Sequence, residues 1–300
     1  MTKQKVGVIG LGSMGLGVAR TLVAKGFEVH ACDVRGEVVD AFGKDGGIGQ
    51  ASPKALGAAV PIAIVLVVNA DQTEQVLFGP EGAAHSMAPG SVVIASSTVA
   101  PEFAIDLGKR LAERGLLMID APVSGGAARA AKGEMTIMGS GVPEAFDKAK
   151  AVLEAIAVKV YRLGDVPGPG SKVKMINQLL AGVHIAAACE AMALGVKAGV
   201  DPKVLYEVIS NSAGNSWMFS NRVPHILEGD YTPLSAVNIF VKDLGIVLDS
   251  ARKMTFPLPI TASAHQLYLA AAAHGHGGED DSAVVKVFQA LTGIELPVKR

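Results

Sequence analysis

The sequence predicts an α/β domain built on a doubly wound parallel sheet, followed by an all-α domain. Three observations carry this prediction. Short runs of consecutive apolar residues alternate with helix-compatible segments through the first half, a glycine- and proline-rich stretch interrupts the chain near residue 167, and strand-like alternation almost vanishes beyond it. The boundary is therefore expected between a domain over 1–167 and a second over 168–300.

The first run, Val6 to Ile9, ends at a glycine turn, and Val18 to Lys25 is a helical segment stopped by Gly26. Glu28 to Cys32 then resumes as a strand ending at Asp33, which completes a βαβ unit. Further runs at Ile62 to Val68, Val92 to Ala95 and Leu116 to Ile119 are apolar on successive residues, the pattern of strands covered on both faces. After Tyr161 come Gly164, Pro167, Gly168, Pro169 and Gly170, then an Ala-, Leu-, Met- and Val-rich helix from Ser171 to about Ala198, roughly 40 Å long. This helix is expected to bridge the halves. Asp201-Pro202 reads as an N-cap with proline at the first helical position, and Asp281-Ser282 as a similar cap before the last amphipathic run.

Composition narrows the function classes. Of 300 residues, half are hydrophobic and 18% charged, so the chain folds around substantial cores and is not disordered. Lysine plus arginine number 27 against 28 aspartate plus glutamate, which supplies no global attraction to nucleic acid or anionic lipid. The mean hydropathy of +0.37 raises the question of a membrane span. Ile62 to Val68 is too short, and Leu179 to Val200 carries His184, Glu190 and Lys197, so neither is expected to cross a bilayer. The amino-terminal apolar run breaks at once into glycines, unlike a signal peptide. With two cysteines, Cys32 and Cys189, and no disulfide framework, a reducing, cytoplasmic location is expected.

Gly10-Leu11-Gly12-Ser13-Met14-Gly15 matches GxGxxG between a strand and a helix. The first glycine permits the tight turn, the second lets backbone approach a pyrophosphate, and the third lets helix pack on strand, with the helix N-terminus facing the phosphates. Asp33 lies 23 residues after Gly10, where its carboxylate can accept both ribose hydroxyls of an adenosine. The first domain thus reads as a Rossmann-type dinucleotide-binding domain. A carboxylate at position 33 repels a 2′-phosphate, which favours NAD over NADP, although Arg35 stands two residues on and could turn to a phosphate.

Three more segments stand out: Ser96-Ser97-Thr98 after the fourth strand, Asp120 to Gly126 after the fifth, and Gly168 to Lys174 opening the long helix. Together with the glycine motif, these four ordered segments resemble the β-hydroxyacid dehydrogenase family, which includes 3-hydroxyisobutyrate dehydrogenase and tartronate semialdehyde reductase. The resemblance spans essentially the whole chain. It implies NAD-dependent oxidation of a small hydroxy acid; the segments Gln178 to His184, Ala213 to Met218 and Gly229 to Pro233 resemble members acting on the C2 hydroxyl of a four-carbon sugar acid.

Removing hydride from a secondary alcohol leaves a carbonyl only if the hydroxyl proton also departs, so a base must sit beside the carbinol. Lys174 is the candidate, at the position where the family carries its catalytic lysine; Lys172 and Lys242 are possible sources of the positive charge that would lower its pKa. Lys172 itself faces elsewhere and is expected to be solvated. Four residues after Lys174 the family usually carries a substrate-binding asparagine; this chain has Gln178 there, with Asn177 one step earlier, and Gln178 is the preferred contact. The longer amide is compatible with a polyhydroxylated substrate.

Ser124, Gly125 and Gly126 are where the family binds the substrate carboxylate, and small residues exposing consecutive N–H donors suit that task. Thr98 can offer its hydroxyl to the nicotinamide end of the cofactor or to substrate. Asn69 either approaches the cofactor backbone or serves a turn. Lys242, beside Asp243, matches the family's lysine–aspartate pair and could hold substrate carboxylate or cofactor. Asn215, Ser216 and Trp217 are softer candidates for specificity, with Trp217 expected in the core or an interface. His184 is expected to be a packed polar residue, and His274-Gly-His276 lacks a third metal ligand, so no metal site is expected. The expected partners are a small sugar acid and further copies of the chain. The first alternative is another member of the same family acting on a different 3-hydroxy or 2-hydroxy acid, as 3-hydroxyisobutyrate dehydrogenase or tartronate semialdehyde reductase does; a dinucleotide-sensing module and an imine reductase are the competing classes, and Lys174 speaks against both.

Overall fold

Each apolar run holds a buried strand, although the run Ile62 to Val68 forms one only over Ile62–Val65 and leaves Val68 exposed. The computed structural model describes residues 3–297, and its first half alternates strand and helix: β1 (Lys5–Ile9), α1 (Gly15–Ala24), β2 (Glu28–Cys32), α2 (Gly36–Lys44), β3 (Ile48–Gly49), α3 (Pro53–Ala59), β4 (Ile62–Val65), α4 (Ala70–Phe78), β5 (Val92–Ala95), α5 (Pro101–Ala112) and β6 (Leu117–Asp120). These six strands are parallel and ordered β3-β2-β1-β4-β5-β6. The order reverses between β1 and β4, the crevice where open α/β sheets bind dinucleotides at their carboxyl ends. All four residues of β4 and of β5 are buried, as continuous apolar runs require when helices cover both faces.

The sheet does not end at β6. After it come β7 (Val123–Ser124), α6 (Gly126–Ala130), β8 (Met135–Gly141), α7 (Pro143–Ile156) and β9 (Ala157–Arg162). β8 runs antiparallel to β6 and β7 and parallel to β9, so this edge is mixed rather than purely parallel. Neither β8, with its Gly139, Ser140 and Gly141, nor β9, where Val158 is exposed and Lys159 follows it, has the apolar run that marked the earlier strands.

The long helix α8 spans Pro169–Lys197. The chain divides into two compact units inside it, the first ending at Lys174 and the second beginning at Met175. Beyond α8 lie α9 (Pro202–Ser210), α10 (Trp217–Glu228), α11 (Val237–Lys253), α12 (Pro259–Ala271) and α13 (Val285–Thr292). Among the described residues the second unit contains no extended strand, only an isolated bridge between Ala236 and Asp280.

The core of the second unit gathers Ile185, Cys189 and Met192 of α8 with Phe219, Phe240, Leu244 and Tyr268. Each such side chain contributes about 1.5–3 kcal/mol on burial. A Cβ at Gly182 would lie 2.9 Å from Leu244, and the buried Tyr268 hydroxyl donates to the Gly182 carbonyl at 2.9 Å, so α8 packs closely on α11 and α12. Within this helical frame, Asp201 caps α9 as expected, accepting from Lys203 N at 2.8 Å. The later cap is Asp280, not Asp281: Asp280 accepts from Ser282 N, while Asp281 is buried against Arg222, its carboxylate receiving Nε at 2.5 Å and Nη2 at 3.1 Å. Two adjacent aspartates look alike in sequence, and only the position of Arg222, far away along the chain, separates their tasks.

Candidate active site

The glycine loop between β1 and α1 is built by backbone constraints. Gly10 has φ +93°, and a Cβ there would lie 2.6 Å from the Leu66 carbonyl; at Gly15 a Cβ would meet the Gly10 carbonyl at 1.9 Å. Gly12 differs, because a Cβ there meets nothing within 4 Å. Its openness belongs to a groove of about 400 Å³ lined by Leu11, Gly12, Ser13, Leu16, Arg20 and Arg35. The loop therefore keeps space where a pyrophosphate backbone needs it. Met14 forms the N-cap position of α1. The Leu11 N–H is committed to Asp33 Oδ2 at 2.7 Å, which leaves the amides that follow it to meet phosphate oxygens.

Asp33 follows β2 directly. It accepts from Leu11 N, from Arg35 N at 3.0 Å and from Arg35 Nε at 2.9 Å. Burial pushes its carboxyl upward, but the Arg35 and Leu11 hydrogen bonds prevail and hold it below the usual carboxylate range. Arg35 is thus paired with Asp33, and its Nη2 also reaches the Leu11 carbonyl at 3.2 Å. Beside Asp33, burial and the neighbouring carboxylate push the Cys32 thiol up to about 12.

Further along the same sheet edge, Ser97 and Thr98 follow β5. Ser97 is buried, and its hydroxyl has no hydrogen-bond partner among the described residues; Thr98 is half-buried. An orphaned hydroxyl next to the expected nicotinamide contact fits a polar group brought by a ligand. Asn69 is taken up locally as the N-cap of α4, accepting from Gln72 N at 2.8 Å, the turn role that its sequence left open.

Lys174 supplies the central geometry. Its side chain is buried, with the residue only 8% exposed, and Nζ donates to the Val123 carbonyl at 2.8 Å. That carbonyl begins the turn Val123-Ser124-Gly125-Gly126, where Gly125 and Gly126 have φ of +134° and +69°. A Cβ on Gly126 would meet nothing within 4 Å, so the turn presents open backbone. An ammonium at the base of a turn of small residues is a site that can take a carboxylate and exchange a proton beside it. Lys172, two residues earlier on α8, is exposed as expected.

In the second unit, Asp243 gathers the other expected groups. It is buried on α11 and accepts from Lys242 Nζ on Oδ1 and from Gln178 Nε2 on Oδ2, both at 2.5 Å. Asn177 Nδ2 donates to Gln178 Oε1 at 3.0 Å. Gln178, preferred over Asn177 as the substrate contact, therefore has both ends of its amide engaged within the protein, while Asn177 is half-buried. Ser216 caps α10 and Asn215 accepts from Ser220, so both shape a turn. Trp217 is 59% exposed in this chain and is not a core residue. His184 lines an apolar cavity of about 380 Å³ with Asn215, Ser216 and Phe219. Among the described residues no group of His, Cys, Asp or Glu side chains could hold a metal ion.

Residues 5–164 match the NAD-binding domain of 6-phosphogluconate dehydrogenase, and residues 168–288 match the family model described as NAD-binding of NADP-dependent 3-hydroxyisobutyrate dehydrogenase. A protein of Cupriavidus necator named L-threonate dehydrogenase is 66% identical over 296 residues, covering 99% of each chain. The mitochondrial 3-hydroxyisobutyrate dehydrogenase of Mus musculus is 32% identical over 94% of this chain and 86% of its own. The chain belongs to the 3-hydroxyisobutyrate dehydrogenase family. A crystal structure of a 3-hydroxyisobutyrate dehydrogenase from Salmonella typhimurium superposes with a TM-score of 0.90 at 50% identity, covering 95% of this chain and all of that one. As a member of this family the chain is an oxidoreductase acting on a CH–OH group, a hydroxyacid dehydrogenase that uses a nicotinamide dinucleotide.

For this 3-hydroxyisobutyrate dehydrogenase family member, two sets of residues carry roles that the sequence did not assign, although Ser97, Asp120 and Ser171 lie in the segments it singled out and only Ser140 lies outside them. The buried Asp120, Ser140 and Ser171 form one hydrogen-bonded set at the start of α8, and Ser97 is the other. The available signal was a carboxylate placed at the end of a fully apolar strand, where an unpaired charge is costly and donors must be found nearby.

Proposed function

We propose that this dehydrogenase oxidises the C2 hydroxyl of L-threonate to 2-dehydro-L-erythronate, with NAD as hydride acceptor and Lys174 as general base. The observation that carries this reading is the buried Lys174 amine, hydrogen-bonded at 2.8 Å to the carbonyl that opens the Ser124–Gly126 turn. The substrate carboxylate binds the N–H groups of Gly125 and Gly126 and the Ser124 hydroxyl, which brings the neighbouring carbinol to Lys174. The nicotinamide, when bound, accepts the hydride from C2. The hydroxyl proton goes to the Lys174 amine, and in the reverse direction the ammonium returns a proton to the forming alkoxide.

Support for the sugar acid comes from the segments Gln178 to His184, Ala213 to Met218 and Gly229 to Pro233, and from the name carried by the Cupriavidus necator relative. Asp33 supports NAD: its charge opposes a 2′-phosphate, and Arg35 is held by that same carboxylate. Exposed apolar side chains on α8, among them Ile176, Leu180 and Leu194, support assembly of several copies. Two buried free thiols, Cys32 and Cys189, suit a reducing cytoplasm.

An NAD-reduction screen tests the reading with L-threonate, D-threonate, the erythronates, D-glycerate and 3-hydroxyisobutyrate. The expected result is the highest kcat/KM with L-threonate. Preference for 3-hydroxyisobutyrate, the substrate named for the Salmonella typhimurium structure, overturns the assignment of the acid and leaves the lysine chemistry standing.

A further inference from the structure

We propose that Asp120 is a positioning residue: its buried carboxylate clamps the first turn of α8 so that Lys174 meets the Ser124–Gly126 turn in a fixed geometry. The inference rests on the reading of Lys174 as the acid/base group.

Asp120 ends β6 and is 1% exposed. Its Oδ2 accepts from Gly168 N at 2.9 Å, from Ser171 N at 2.9 Å and from Ser140 Oγ at 3.2 Å, while Oδ1 accepts from Ser171 Oγ at 2.7 Å. Ser140, from the end of β8, also accepts from Gly170 N at 2.9 Å. Amide groups that an α-helix leaves without internal partners at its start are thereby satisfied by side chains rooted in the sheet. A buried carboxylate facing a helix N-terminus is also in the favourable field of the helix dipole.

A second, independent feature demands the same close approach. A Cβ at Gly170 would lie 2.4 Å from the Met138 carbonyl and 2.7 Å from the Asp120 carbonyl, so the helix start is seated against backbone on both sides. Gly168, with φ +120°, makes the bend that delivers the chain there.

The consequence for Lys174 follows from helix geometry. Ser171 and Lys174 lie three residues apart, hence nearly one turn apart on one face of α8. Asp120 holds that face at Ser171, and Val123, three residues after Asp120, receives Lys174 Nζ. The segment from Asp120 to Val123 is therefore fastened to α8 at two points that bracket the catalytic amine. All of these groups lie in the first compact unit, so the amine and the carboxylate-binding turn share one rigid support. A positioned acid or base loses its effectiveness when displaced by as little as 1 Å. No ligand has to touch Asp120 for this purpose, because all four of its hydrogen bonds are internal.

The test compares Asp120→Ala, Asp120→Asn, Lys174→Ala and the double variant Asp120→Ala/Lys174→Ala in the full-length enzyme. It measures kcat on the preferred acid from the screen, NADH affinity by fluorescence, and melting temperature. Asp120→Ala should lower kcat about 10–100-fold, with NADH affinity within about threefold of wild type. Asp120→Asn should recover most of that loss, because its amide oxygen can still accept from Gly168 and Ser171. In the Lys174→Ala background, Asp120→Ala should cost less than about threefold more, since groups that act as a unit are not additive. If Asp120→Ala does not fold, Ser171→Ala, which removes only the donor to Oδ1, should lower kcat about 3–10-fold with the same non-additivity.

Wild-type kcat in Asp120→Ala or in Ser171→Ala overturns the proposal, as does an additive loss in the double variant. Asn as damaging as Ala would mean that charge, and not position, is what Asp120 supplies, and would also overturn it. Full activity in Lys174→Ala takes down the lysine mechanism and this inference together. A large loss in Lys174→Ala with none in Asp120→Ala removes the clamp alone.

Discussion

Asp33 and Asp120 stand at the carboxyl ends of β2 and β6 in one sheet, yet the two regions treat the same side chain in opposite ways. Asp33 lies behind Leu11 and Arg35, which line the groove of the glycine loop, and its hydrogen bonds from Arg35 and the Leu11 amide keep it below the usual carboxylate range against the upward push of burial. Asp120 is sealed in; burial pushes its carboxyl upward, and donors from Ser171, Gly168 and Ser140 only moderate that push. We assign the first to cofactor contact, whereas the second holds the protein to itself through Ser171, Gly168 and Ser140. The strand end supplies the position, and the surrounding donors and water access decide the task.

The largest expected effect concerns the amine whose placement we assign to Asp120. Lys174→Ala should lower turnover by about 10²–10⁴-fold with NADH affinity retained, as fluorescence titration and steady-state rates will measure. Near-normal turnover would leave the Asp120 region without a chemical purpose.

A third carboxylate extends the comparison into the second unit. Asp281 is buried in the Arg222 ion pair, and desolvation pushes it up to about 6 although Arg222 opposes the shift. Removing one partner of such a pair costs about 3–5 kcal/mol, so Asp281→Ala should lower denaturant midpoints sharply, whereas Asp33→Ala, which loses only hydrogen bonds at a partly exposed residue, should lower them by less. Equal losses from both variants would erase the distinction between a ligand-facing and an architectural aspartate.

At Asp33 the effect should fall on cofactor choice. Asp33→Ser removes an ionised acceptor worth about 1.5–3 kcal/mol, so the ratio of kcat/KM for NAD over NADP should drop about tenfold or more. An unchanged ratio would mean that this carboxylate does not read the ribose. The smallest effect is expected at Lys172, an exposed residue on the turn that carries Lys174; Lys172→Ala should change kcat less than about twofold. A larger loss would indicate that its charge tunes the amine.

Much of the fold and part of the site were legible along the chain. The runs at Val6, Ile62 and Val92 announced strands buried on both faces, and Gly10 and Gly15 occur where any side chain would collide with backbone. Lys174 was singled out from its place after the glycine-rich helix start, and the structure buries it and bonds it to the Val123 carbonyl. Gln178 and Asn69 were only half legible: their residue types suited ligand contacts, but their amides are engaged by Asp243 and Asn177 in one case and by the Gln72 amide in the other.

What the amino-acid order determined by itself was local: strand and helix type, the glycine turn, and the spacing that sets an amine three residues beyond Ser171. What only the tertiary structure decided was partnership. The antiparallel β8 and its neighbour β9, the pairing of Asp281 with Arg222, and the contacts that tie Asp120 to Ser140 and Ser171 all join residues 15 or more positions apart. Periodicity and backbone sterics act over a few residues and leave a mark in the sequence. The demand of a buried charge for donors is met by whichever groups folding brings near, and that proximity carries no local signature.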